Sequence, residues 1–103
     1  MNALESIYKI TCIERKQIFD KINVLFKKSY TKLELLEEIM KLNQQEIDEY
    51  GNLNKEKSIE NLVLDEIQII EKYNKKYENL IKIYYKKQEE KEMNKIKTKN
   101  MII

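Results

Sequence analysis

The stretch Val63–Gln88, VLDEIQIIEKYNKKYENLIKIYYKKQ, decides the fold of this chain. Val63, Ile67, Ile70, Asn74, Tyr77, Ile81, Tyr84 and Gln88 recur at alternating steps of four and three. Residues so spaced share one stripe of an α-helix, the heptad seam through which helices pack knob into hole. Asn74 stands in the middle of that seam. A polar seam residue sacrifices stability to fix register or partner number, particularly when a second amide faces it. Three positions are open for it: against Asn43 of the preceding helix, against its own copy in a dimer, or at a wetted edge of the seam.

Working outward, the chain has 103 residues, enough for one modest core and not for two. It has no proline and a single glycine, so turn and hairpin chemistry is scarce and helices are the economical solution. Helix one is expected over about 3–28. Asn2 and Glu5 form its capping box, and Leu4, Ile7, Tyr8, Thr11, Ile18, Ile22 and Leu25, flanked by Phe19 and Phe26, form its apolar stripe. Helix two is expected over about 32–50. Thr31 and Glu34 make a second capping box, and Tyr30 staples onto Leu35. Its predicted inner face is Leu33, Leu36, Ile39, Met40, Asn43, Ile47 and Tyr50. Gly51 stands where a left-handed cap would end that helix, the alternative being a glycine tolerated inside one continuous helix. Helix three, capped by Asn52 or Asn54, is expected over about 55–91, with a frayed or flexible tail at 92–103 whose Met101, Ile102 and Ile103 are free to dock. The fold class is therefore all-α: an antiparallel three-helix bundle with a long, coiled-coil-like C-terminal helix.

Composition excludes most chemistry. There is no histidine to act as a base, the lone Cys12 has no partner for a disulfide or a metal, and one glycine cannot build a phosphate-cradling loop. Neighbouring carboxylates such as Glu37 and Glu38 point about 100° apart on a helix and do not converge on one atom. No enzyme, cofactor or metal site is expected. No window approaches the roughly 18 apolar residues of a membrane span, and the first residues lack the pattern of a signal peptide, so a soluble, cytoplasmic chain is expected, without membrane insertion.

The net charge of +2 conceals an asymmetry. Residues 1–50 carry eight Lys/Arg against nine Asp/Glu, and 51–103 carry twelve against nine. Lysines alternate with tyrosines from Lys72 to Lys87, which suggests nonspecific nucleic-acid binding through Lys75, Lys76, Lys86 and Lys87. Against it, Tyr77 and Tyr84 belong to the seam, and Arg15 is the sole arginine where bidentate phosphate or guanine reading favours arginine. Helix lengths point elsewhere. A third rod of nearly 40 residues beside one of about 19 leaves seam without cover, unless helix one, a second copy or another protein supplies it. The expected partner surface is accordingly Ile67, Ile70, Asn74, Tyr77, Ile81 and Tyr84, offered to an amphipathic helix of another protein.

LELLEEIMKLNQQEIDEY (33–50), followed by LDEIQIIEKYNKKYENLIKIYYKK (64–87), resembles the small all-helical flagellar type III export chaperones of the FlgN and FliT kind. The likeness spans about residues 30–87. It rests on the Leu-rich second helix and on a final helix with Ile70, Asn74, Glu78 or Asn79, and Leu80 or Ile81 in the family's hydrophobic–Asn–Asn/Glu–Leu order. The resemblance implies a cytosolic chaperone that holds the C-terminal helix of a filament-cap or hook-associated protein unpolymerised, with the client on the last helix. The rival readings are a self-associating coiled-coil protein, structural or a phage or regulatory adaptor, with a homodimer as partner, and the nucleic-acid binder above.

Overall fold

The computed structural model describes residues 3–28 and 32–101. The Asn2 cap, the Thr31 capping box, the Tyr30 staple and the docking of the Met101, Ile102 and Ile103 side chains lie outside what is described. The chain is an all-α three-helix bundle: α1 runs Ala3–Lys28, α2 Lys32–Gly51 and α3 Ile59–Met101.

The one described turn between helices is set by local hydrogen bonding. The Asn52 amide donates to the carbonyls of Asp48 (3.1 Å) and Glu49 (3.2 Å), closing α2. Gly51 stays helical with negative φ, so the left-handed cap expected of it is not used. Asn54 does not cap α3 either; its side chain accepts from the Glu56 amide at 3.1 Å and makes a turn. Ser58 is the cap. Its Oγ accepts from the Asn61 amide at 3.3 Å, three residues on, and α3 starts at Ile59 rather than near 55.

The three helices run up, down and up. Side-chain partners of α1 and α3 keep a nearly constant separation in sequence, Arg15 with Asn74 and Phe19 with Tyr77, so these two helices are parallel. Those of α2 and α3 keep a constant sum, Lys72 with Glu49 and Lys87 with Glu34, so these are antiparallel. Helix α3 is the spine: α1 and α2 each pack along it. Ile18 and Ile22 of α1 join Ile69, Tyr73, Tyr77 and Ile81 of α3 in one buried cluster; Leu25 and Leu35 join Leu80 and Tyr84 in a second.

This arrangement removes the overhang expected of the seam. Helix α1 covers α3 from its beginning, and both companions reach its middle. Past Gln88 the heptad spacing falls on Lys91, Lys95 and Thr98, so the row of large apolar and aromatic residues ends there in the sequence. The backbone nevertheless remains helical to Met101, ten residues beyond the expected end near Lys91. That run contains no glycine or proline, so nothing in its propensity stops the helix.

Helix α2 departs most from expectation. Its inner row is Leu35, Ile39, Leu42, Glu46 and Tyr50. Of the seven residues predicted to face inward, Ile39 and Tyr50 do, and the other five are turned out, with Leu33 71%, Leu36 42%, Met40 61% and Ile47 51% exposed and Asn43 exposed among them. The two rows differ by about 100°, the rotation of a single residue.

Candidate functional site

Each helix carries one polar residue at an interior position of the same level of the bundle: Arg15 on α1, Glu46 on α2 and Asn74 on α3. Arg15 is where the three meet. Its Nη1 and Nη2 donate to the two carboxylate oxygens of Glu46 at 2.8 and 2.9 Å, a bidentate fork. Its Nε donates to Asn74 Oδ1, and its Cζ lies 5.0 Å from the centre of the Tyr77 ring. Longer contacts at 3.4 Å join Nη2 to the Ile70 carbonyl and Asn74 Nδ2 to the Thr11 carbonyl. Tyr50 completes the cluster, its hydroxyl donating to Glu46 Oε2 at 2.8 Å. Burial, then the hydrogen bond and charge of Glu46, push the Tyr50 hydroxyl far above the usual tyrosine range.

The cluster answers the question posed by Asn74. Asn43 is not its mate, because α2 is rotated so that Asn43 points to solvent. A guanidinium holds the amide instead, and the same guanidinium requires a carboxylate on α2. Burying Glu46 is tolerable only because its oxygens are met by the Arg15 fork and by Tyr50. The pairing therefore selects the rotation of α2.

The six residues predicted to receive a partner, Ile67, Ile70, Asn74, Tyr77, Ile81 and Tyr84, are all interior, between 0 and 9% exposed. The structure brings them together as core and leaves no open strip along them. The expectation of a docking site on this seam is corrected: α1, parallel to α3, and α2 close it from two sides. Tyr77, fully buried, packs on Phe19 with ring centres 5.3 Å apart. Tyr73 and Tyr84 are buried too, roofed by Lys76 (4.8 Å) and Lys87 (4.9 Å), which withdraws these rings as a stacking platform for bases.

One surface that stays open is the outer row of α2 and the cleft beside it, of about 340 Å³, with Cys12 on one wall, Asn43 and Ile47 on the other, and Arg15 and Ile70 lining it. The row Leu33, Leu36, Met40, Asn43 and Ile47 keeps steps of three and four, so its surface has the geometry of a coiled-coil seam without a mate. On its outer side the row is edged by Glu37, Lys41, Gln44 and Asp48, two acids and one lysine, the lysine paired with Glu38 at 3.4 Å.

Two residues of the cluster, Arg15 and Glu46, escaped the sequence reading, although α1 held a signal. The row Leu4, Tyr8, Thr11, Ile18, Ile22, Leu25 has a gap filled at the regular step by Arg15. Among the described residues no group of three or more His, Cys, Asp or Glu converges as a metal ion would require, and no helix is long and apolar enough to cross a membrane. No protein-family model, curated protein or solved structure matches the chain.

Proposed function

We propose that this protein is a small non-enzymatic binding bundle that receives an amphipathic helix of another protein on the outer face of α2. The reading is carried by one observation: a heptad row of four large apolar residues around Asn43 lies open on a helix whose neighbouring row, about 100° away, is engaged in the bundle. A seam of period 3.5 is matched best by another helix. The row spans Leu33 to Ile47, about 21 Å at the helical rise, so the partner segment is about four turns long. Glu37 and Asp48 on the outer edge favour lysine or arginine at the facing positions of the partner.

In its finer form the proposal keeps the resemblance to flagellar export chaperones: the partner is the C-terminal helix of a filament-cap or hook-associated protein, held back from assembly in the cytoplasm. The docking surface moves from α3 to α2. Fluorescence anisotropy with labelled C-terminal helices of such proteins tests it. Wild-type protein is expected to bind and Met40→Glu to lose binding without loss of helicity by far-UV circular dichroism. Binding unaffected by Met40→Glu refutes the surface, and no binding of any such helix by the wild type refutes the client class.

A further inference from the structure

The molecule carries a second open apolar row, on the side of α1 turned away from the core. Ile10 and Ile13 are 57 and 56% exposed and Val24 46%, and with exposed Gln17 and Asp20 they follow the same three–four spacing over the same 14-residue span as the row on α2. The two rows align position by position: Ile10, Ile13, Gln17, Asp20 and Val24 against Leu33, Leu36, Met40, Asn43 and Ile47. Set parallel in that register, three apolar pairs form, Gln17 meets Met40, and the polar residue of one row, Asp20, meets the polar residue of the other, Asn43. The antiparallel alignment instead puts Asp20 on Leu36 and Asn43 on Ile13.

The flanks agree with the parallel choice. In a parallel pair the residue before one seam position faces the residue five places further along the partner. That places Lys9 against Glu37 and Lys32 against Glu14, two opposite-charge pairs, with Lys16 against the neutral Gln44. Helix α1 carries six basic residues against three acids, where α2 carries six acids against two lysines.

We propose that the outer row of α1 of one copy docks in parallel on the outer row of α2 of a second copy, so that the protein itself is the resident occupant of the face a client helix takes. This rests on the reading of that face as a helix receptor and adds its regulation: clients compete with self-association. The contact joins two different surfaces, so it repeats from copy to copy and does not close as a two-fold dimer. A two-helix contact about 21 Å long is small against the ~1,200 Å² of a stable interface, so the association is reversible and concentration-dependent.

Two experiments on the full chain decide the matter. Sedimentation velocity from about 1 µM to about 1 mM is expected to show mass rising with concentration. Glu37→Lys is expected to weaken the association about tenfold, and Lys9→Glu in the same chain to restore much of it, since like charges become opposite again. In a Cys12→Ser background, chains with Gln17→Cys mixed with chains with Met40→Cys are expected to give a mixed disulfide on mild oxidation, and Met40→Cys chains alone to give little. A monomer throughout the range, or efficient disulfide formation by Met40→Cys chains alone, overturns the α1-to-α2 contact. In either case client binding lost by Met40→Glu would leave the receptor reading standing, so the two failures are separable.

Discussion

Replacing Arg15 with methionine removes the cation that holds the bundle's polar level together, and the cost follows from what is left behind. Glu46, 5% exposed at its side chain, loses both guanidinium hydrogen bonds and keeps only the Tyr50 hydroxyl. Breaking a buried pair from one side costs about 3–5 kcal/mol, and the near-complete burial of Glu46 puts Arg15→Met at the upper end. The mirror change, Glu46→Leu, strands a guanidinium that is 21% exposed and still bonded to Asn74, so water and the amide compensate part of the loss, and about 3 kcal/mol is expected. The double variant Arg15→Met/Glu46→Leu leaves no buried charge at this level; Asn74 loses its donor and the half-buried Tyr50 hydroxyl its acceptor, which water reaches more readily, so about 1–3 kcal/mol is expected, chiefly from the buried amide. The order of damage is therefore Arg15→Met, then Glu46→Leu, then the double variant, a sequence that simple summation cannot produce. Urea unfolding followed at 222 nm reads all four corners of the cycle. Each kcal/mol corresponds to about 4–8 °C in Tm for a domain of this size, so thermal melts separate them as well. Single variants that each cost under about 1 kcal/mol, as exposed ion pairs do, or a double variant equal to their sum, would refute the assignment of the cluster as the element that orients α2.

Three further outcomes follow from particular residues. The Tyr77 hydroxyl is buried with no hydrogen-bond partner, so Tyr77→Phe is expected to leave stability unchanged or raise it by up to about 1–2 kcal/mol; a loss of similar size in urea melts would contradict this. Gly51 is helical, has negative φ and has nothing within 4 Å of where a Cβ would stand, so Gly51→Ala is expected to stabilise by about 0.4–1 kcal/mol, and a drop in Tm would refute it. Burial first, and then Glu49 and Glu34 respectively, push the Tyr73 and Tyr84 hydroxyls up to about 12. Between pH 10 and 12 the unfolded chain releases those protons while the folded one keeps them, so stability is intact below pH 10 and falls as pH rises through that window. Absorbance at 295 nm should show these two tyrosines ionising only together with loss of helicity at 222 nm.

Much of the architecture was legible in the chain. Helix existence, number and order follow from periodicity and from the scarcity of glycine and proline, and the seam from Ile67 to Tyr84 is buried as its spacing requires. Apolar stripe, lysine roof and the break near Gly51 are properties of neighbouring residues, and local sequence is sufficient to express them. The ends of α3 were read less well, because Ser58 outcompeted two asparagines for the cap and because the polar run after Lys91 has nothing in it to break a helix.

The rotation of α2 and the fate of the seam were decided only in three dimensions. The apolar arc of α2 is wide enough for two inner rows about 100° apart, one through Leu36 and Met40 and one through Leu35 and Leu42, and periodicity within the helix does not choose between them. What chooses is the group opposite: Arg15, held on the apolar side of α1 and bonded to Asn74, needs a carboxylate across from it, and only the rotation that buries Glu46 provides one. That rotation turns Leu33, Leu36, Met40 and Ile47 to solvent, while α1, lying parallel to α3, closes the seam that looked open. Which residues share a face is written along a helix, but which face turns inward depends on charges brought together from helices tens of residues apart.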